Sequence, residues 1–288
     1  MVNSSTMTLI VIVMALYFVG MIAISWMGRK YGKNFDDFIS AGRNCTTLMI
    51  IGSAVGSHIG NGYVVGGAAS GAAVGLSGAW YGIGCALSYL AVALVLNHRV
   101  YKCGYISLPE ILNARYGEKM TSVIFSVTTA LSYIANIAAQ LMAGKALFEA
   151  LGFNGTLGVW VIAVVVMAYS CISGLWGACA TSVVQVAIII VSLLATFFIV
   201  LGRGALGLVT EAVANGLAPA SYFDMGADGF AAILITIVPI SLAALCEQCT
   251  VQRITSAKSE KTSFRALILS VIIMIPCALM PAFIGMYG

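Results

Sequence analysis

Ser53, Ser57, His58 and Asn61 stand close together among Gly52, Gly56, Gly60 and Gly62, in the middle of an apolar stretch long enough to cross a membrane. Hydroxyls, an imidazole and a carboxamide are groups that hold a polar solute by hydrogen bonds. In hydrocarbon each unsatisfied backbone group costs several kcal/mol, so a stretch this poor in helix formers is tolerated only where it lines a cavity or binds something. A second polar interruption follows Pro239, where Glu247, Gln248, Thr250 and Gln252 occupy the inner half of another apolar stretch. Paired interrupted spans are the best pointer in a sequence to a transport site at the bilayer midplane.

The elements that must position these groups are membrane helices. Of 288 residues 61% are hydrophobic and 8% charged, and the mean hydropathy is +1.02. That composition excludes an ordinary soluble domain. A span needs about 20 mostly apolar residues, which predicts a single all-α, polytopic membrane domain over 1–288. Eight spans are expected, at 7–27, 46–72, 78–97, 119–148, 156–174, 180–202, 229–252 and 266–287, with the second and seventh broken. Arg29, Lys30, Lys33, Arg43, Arg99, Lys102, Arg115, Lys119, Arg253, Lys258, Lys261 and Arg265 then fall on one side, against Lys145 and Arg203 on the other. The positive-inside rule makes the richer side cytoplasmic and puts both chain ends outside. No basic residue precedes the first apolar stretch and a basic cluster follows it, the pattern of an uncleaved anchor. The net charge of +4 reflects this topology and implies no nucleic-acid partner.

Other features have structural readings. Gly52, Gly56 and Gly60, then Gly67, Gly71 and Gly75, recur at intervals of four, a spacing that lets helices approach closely. That accounts for the outer set, but not for the polar residues interleaved with the inner one. Leu206, Leu208, Val209, Ala212 and Val213 before Asn215-Gly216 predict a short amphipathic helix in the longest outer loop. Cys246 and Cys249 form a lone CxxC, without a second pair or a nearby histidine, and read as packing residues. No HExxH, GxSxG or P-loop pattern occurs, and neither His58 nor His98 has a carboxylate at catalytic spacing, so an enzyme is not expected.

Several loops carry a more specific signal. Asp36-Asp37-Phe38-Ile39-Ser40-Ala41-Gly42-Arg43, Gly104-Tyr105-Ile106-Ser107-Leu108-Pro109-Glu110-Ile111-Leu112 running to Arg115-Tyr116-Gly117, and Gln252-Arg253 with Ala257-Lys258 occur in that order. In this the chain resembles the sodium:solute symporter family, which includes proline, sugar, pantothenate and choline transporters. The resemblance implies a LeuT-like, five-plus-five inverted-repeat fold, with an extra N-terminal helix and then core helices 1 to 7. It also implies solute binding between the unwound parts of core helices 1 and 6, with Gln140 matching a glutamine of the third core helix. One sodium ion would be held partly by backbone carbonyls of the first core helix, which the same alignment places at Gly56 and Ile59. An unwound carbonyl is a hard oxygen ligand for an alkali cation, so side-chain identity matters little there.

Three departures from the family pattern shape the expectation. The chain stops after what would be core helix 7 and looks C-terminally truncated, so the hydroxyl half of that sodium site lies beyond it. Ser182 stands where the family usually has an aspartate after the threonine, which bears on the sodium exit route. His58 and Glu247 are the third. A carboxylate at membrane depth costs about 2.5–3.5 kcal/mol on insertion scales unless employed, so Glu247 either pairs with His58 or Arg253, or contacts a cationic part of the solute or a proton. Tyr63, Trp80, Tyr81 and Tyr133 are the aromatic residues available to a solute. The expected function is sodium-coupled symport of an amino acid, amine or similar solute across the plasma membrane by alternating access. Ser57, His58, Asn61, Tyr63, Gln140 and Glu247 are the candidate solute contacts, Gly56 and Ile59 the sodium ligands, and no cofactor beyond the coupling ion is expected. The partners are the solute, sodium and the lipid bilayer. Proton coupling through Glu247 or His58, and a ligand-binding remnant or sensor that does not transport, are the alternatives.

Overall fold

Helix is the conformation an apolar chain adopts in hydrocarbon, because it satisfies every backbone group within the segment. A computed structural model describes residues 4–31 and 34–287, and among the described residues the regular structure is helical without strands. The chain divides into two compact groups, Met1–Cys45 with Tyr105–Thr181, and Thr46–Gly104 with Ser182–Gly288.

The first group holds α1 (Ser4–Gly28), the short α2 (Phe35–Ser40) and, after the second group's first segment, further helices described below. The second group begins with α3 (Thr47–His58), α4 (Asn61–Val74), α5 (Trp80–Val95) and α6 (Asn97–Cys103). The chain then returns to the first group with α7 (Leu108–Tyr116), α8 (Lys119–Ala150) and the opening part of α9 (Gly155–Gly202). The rest of α9, α10 (Ala205–Ala214), α11 (Gly229–Leu245), α12 (Gln248–Thr255) and α13 (Glu260–Tyr287) complete the second.

In the first group the Leu-Pro-Glu loop forms a helix, α7. Ser107 Oγ donates to Glu110 Oε1 at 2.8 Å and Ile106 N–H donates to Glu110 Oε2 at 3.1 Å, so the Glu110 carboxylate ties the preceding turn to the first turn of α7, while Ser107 itself makes no side-chain cap bond. Gly117 closes α7 in the left-handed region, φ 69°. Small residues join α1 to α9: Ser25 Oγ donates to the Tyr169 carbonyl and meets Ser173 Oγ at 2.6 Å. Gly174, at φ 57° and ψ −145°, breaks the helical path of α9.

The second group is built around α13, which packs on α3, α4 and α5, while α11 packs on α5. Glycine makes the closest of these contacts. A β-carbon at Gly71 would collide with the backbone carbonyl of Ala282, and one at Gly285 with that of Ala68. In the connection before α11, α10 buries Ala205 and Val209, and Val209 clusters with Tyr222 and Met286. Leu206 and Leu208 of the expected apolar stripe point outward, because a helix turning 100° per residue cannot bury residues 206 and 208 on the face that holds 205 and 209.

Five helical stretches among the described residues are long and apolar enough to cross a membrane: Met7–Tyr31, Gly62–Val95, Lys119–Ala150, Gly155–Gly202 and Glu260–Tyr287. Counting the bent pair Gly229–Leu245 and Gln248–Thr255 as one span makes six. The expectation of eight spans differs in two places. It divides Gly155–Gly202 at the kink of Gly174, and it separates α5 from a span made of α3 and α4, at Gly75 with φ 74° and ψ −147°.

Candidate functional site

The first interruption in the second group is a tight reversal of hydrogen bonding. α3 ends as Ile59 N–H donates to the Val55 carbonyl at 2.8 Å, and Ile59 itself takes φ −75° and ψ 70°. Gly60 N–H, which in an unbroken helix reaches the Gly56 carbonyl, instead donates to the His58 carbonyl at 2.8 Å. Those angles and that bond make an inverse γ-turn centred on Ile59. Gly60 is then extended, φ −118° and ψ −158°, and caps α4. Tyr63 N–H, the helical donor for Ile59, bonds the Gly60 carbonyl at 3.2 Å. The carbonyls of Gly56 and Ile59 have therefore both lost the donors that a continuous helix supplies.

The second interruption bends the chain by 56° between α11 and α12. It lies at Cys246 and Glu247, seven residues beyond Pro239, through which α11 runs unbroken. Glu247, half-buried, sits at the N-cap of α12 with an extended backbone, and its side chain makes no cap hydrogen bond.

Between the two interruptions lies a buried polar network in which Arg253 belongs to one of the loop motifs and Tyr89 to none. Tyr89 of α5 is 0% exposed and Arg253 of α12 is 5% exposed. Arg253 Nη1 donates to the Tyr89 hydroxyl at 3.0 Å, and that hydroxyl donates to the Ala54 carbonyl of α3 at 3.0 Å. Arg253 Nε donates to Ser53 Oγ at 3.2 Å. The guanidinium also lies 5.9 Å from the Tyr89 ring centroid, within cation–π range. Glu247 and Arg253 both act electrostatically on Tyr89. The one signal for Tyr89 in the sequence is a phenol in a span of small and aliphatic residues, since a buried Tyr hydroxyl needs a partner.

The candidate residues fall into distinct environments. Ser57 is exposed, with its hydroxyl donating to the Ala54 carbonyl at 2.9 Å and standing 3.4 Å from the Tyr89 hydroxyl. His58 packs edge-on against Tyr89 with ring centroids 5.1 Å apart, and lies within electrostatic reach of Arg253. Its Nε2 atom is buried without a hydrogen-bond partner among the described residues, as is Thr250 Oγ1 in the first turn of α12. Such atoms mark places where water or a ligand completes the site. Tyr63 is 2% exposed and donates to the Met274 carbonyl at 2.7 Å, which ties α4 to α13. Its hydroxyl is thus engaged in packing, because a buried phenol takes the nearest free carbonyl.

Asn61 opens α4, and its side chain lies outside the described residues. Gln140 is exposed on α8, in the first group, whereas the other candidates belong to the second. Trp80 donates from Nε1 to the Met225 carbonyl at 2.6 Å, and with Tyr81 it lines a crevice of about 190 Å³ that also meets Asp228 and Thr236. A larger cavity, about 430 Å³, opens beside the first interruption and is lined by Ile59, Gly60, Val64, Ser192, Thr196 and Pro281. Neither cavity wall includes Ser57, His58 or Glu247.

Comparison with known proteins gives this geometry a context. The model of the sodium:solute symporter family matches residues 38–288. Mouse sodium/glucose cotransporter 1 is 28% identical over 183 residues, covering 62% of this chain and 28% of that protein. The sodium/proline symporter of Escherichia coli K12 is 26% identical over 211 residues, covering 67% of this chain and 40% of that protein. The matched stretch thus spans less than half the length of these curated relatives. A solved structure of a Na+-coupled sialic acid symporter, in a substrate-bound outward-open state, superposes with a TM-score of 0.82 at 17% identity, over 94% of this chain and 58% of that one. The fold is accordingly all-α and LeuT-like, with α1 as the extra N-terminal helix and the interruption between α3 and α4 lying in core helix 1.

Proposed function

The chain belongs to the sodium:solute symporter family, and from that premise we propose that it serves sodium-coupled symport of a small organic solute across the plasma membrane by alternating access. It is a multi-pass membrane protein. In this proposal the chain crosses eight times, with the basic connections cytoplasmic and residues 203–228 outside.

One observation carries the reading. In core helix 1 the γ-turn at Ile59 releases the carbonyls of Gly56 and Ile59 from their helical donors. Released carbonyls in a broken membrane helix are hard, uncharged oxygen ligands suited to sodium, and they sit where the helix must bind something to offset its unsatisfied backbone. Ser57, His58, Asn61 and Glu247 are proposed to contact the solute, with Glu247 taking a cationic group such as an amine. Gln140 enters the same proposal only through its match to the family's third core helix. Tyr63 is assigned to the packing of α4 on α13.

The test uses the chain in lipid nanodiscs. Replacing KCl by NaCl at constant ionic strength is expected to raise its melting temperature, and a screen of amino acids, amines and organic acids to reveal a ligand whose effect grows in sodium. Equal melting in the two salts would sink sodium binding. Solute uptake into proteoliposomes that persists with choline in place of sodium would sink the coupling.

A further inference from the structure

We infer that Tyr89 and Arg253 are positioning residues that staple the inner segments of both interrupted helices to α5, so that the end of α3 and the whole of α12 shift as one body. Only its consequence for transport rests on the reading above. The staple itself rests on hydrogen bonds that cross three elements.

Few atoms connect these elements. Two half-helices, each cut off from its continuation, are tied laterally by side chains. α12 is eight residues long, too short to be stable alone in water or to hold its own orientation without tertiary contacts. It buries one charged side chain, and that side chain reaches both α3, through Ser53 Oγ, and α5, through the Tyr89 hydroxyl. Tyr89 passes the connection on, because the same oxygen that accepts from Arg253 donates to the Ala54 carbonyl, in the last part of α3 before the γ-turn. Ser57 Oγ donates to that carbonyl as well. A hydroxyl that accepts from a cation becomes a stronger donor, so the Arg253 and Ala54 bonds reinforce each other.

The consequence is geometric. Ala54 precedes Gly56 by two residues and Ile59 by five, so a shift of Arg253 is transmitted to the segment that presents the released carbonyls. A guanidinium suits this work because its planar fork directs bonds along separate axes from a single charge, which an ammonium does not. The inner half of one interruption then cannot open unless the other opens with it.

Hydrogen exchange in nanodiscs tests the staple with the Tyr89→Phe variant, which keeps the ring and removes the bridging oxygen. Amides of 50–60 and of 249–256 are both expected to exchange about tenfold faster, the scale of a lost buried hydrogen bond, while those of the outer parts of α4 and α11 keep their rates. Acceleration confined to one of the two segments would overturn the staple, and so would a uniform rise throughout α3, α4, α11 and α12, the mark of a core residue only. If Tyr89→Phe fails to fold, Ser53→Ala, which deletes only the Arg253 Nε acceptor, is expected to speed both segments about threefold, and acceleration at α3 alone overturns the proposal. Arg253→Lys is expected to retain one of the two contacts and fall between wild type and Tyr89→Phe. Sodium supplies the separate arm. If sodium leaves wild-type exchange at 55–60 unchanged while Tyr89→Phe loosens both segments, the sodium reading fails and the staple stands. If sodium protects 55–60 while the effects of Tyr89→Phe stay local to one segment, the staple fails and the sodium reading stands.

Discussion

The two interruptions break helices in different chemical ways. At Ile59 the backbone folds back on itself in a γ-turn, and the donors that should have served Gly56 and Ile59 go elsewhere. What is presented is partial negative charge on uncharged oxygens. At Cys246 the helix instead tightens before it ends, with Cys246 N–H bonding the Ala243 carbonyl at 3.0 Å and Glu247 N–H reaching that of Ala244 at 3.5 Å. Bonds to the third residue back satisfy carbonyls that an abrupt end would leave open. What this interruption presents is the Glu247 carboxyl group, at the N-cap of α12. In the proposed function one interruption seeks a cation through backbone geometry and the other through a side chain, and substitution separates the two.

The largest effect is expected where the first interruption is anchored. Gly71→Val drives a branched side chain into the Ala282 backbone, which cannot give way as a flexible side chain would. A loss of about 3 kcal/mol is expected, seen as poor yield and a lowered melting temperature, with the ligand responses of both interruptions lost together. A variant of wild-type stability would show that the α4–α13 approach does not hold the first interruption in place.

Glu247→Gln separates the interruptions. It removes the charge and keeps the shape, so the affinity for an aminated solute should fall at least tenfold, from the loss of about 1.5–3 kcal/mol in a charged hydrogen bond. The sodium-induced rise in melting temperature should remain. An unchanged solute affinity would remove the cationic-group assignment, and a lost sodium response would erase the distinction between the two sites.

Gly60→Ala gives the smallest effect and sharpens the backbone half of the comparison. Gly60 has φ −118°, which alanine adopts without strain, but alanine favours continued helix by about 1 kcal/mol. Restoring the bond to the Gly56 carbonyl should weaken the sodium response about fivefold, measured by titrating the melting shift, with solute contacts from Glu247 unaffected. An unaltered sodium titration would mean that the released carbonyls are not the ligands.

Much of this is legible in the residues. The Gly60-Asn61-Gly62 run, in an otherwise apolar span, locates the first interruption to within two residues, because glycine there has neither helix propensity nor a side chain to bury. The polar run after Cys246 signals the second, although Pro239 points seven residues too early. A proline removes one donor and leaves the helix free to continue when packing supports it, whereas Glu247 ends it with an extended backbone. Tyr63 reads as a solute contact because it is one of the aromatic residues available to a solute. Its direction is settled by the Met274 carbonyl, contributed by a helix more than two hundred positions away.

Residue chemistry along the chain accounts for the membrane helices, the break beside the Gly60-Asn61-Gly62 run, the polar stretch after Cys246, and the loop motifs of the family. These are local matters of hydropathy, helix propensity and motif spacing, carried by neighbouring residues. It takes the tertiary structure to bring Arg253, Tyr89, Ser53 and Ala54 together and to turn the Tyr63 hydroxyl to the Met274 carbonyl. Those outcomes depend on which buried donor finds which acceptor across helices, and hydrogen bonds of that kind leave no periodicity in the chain to read.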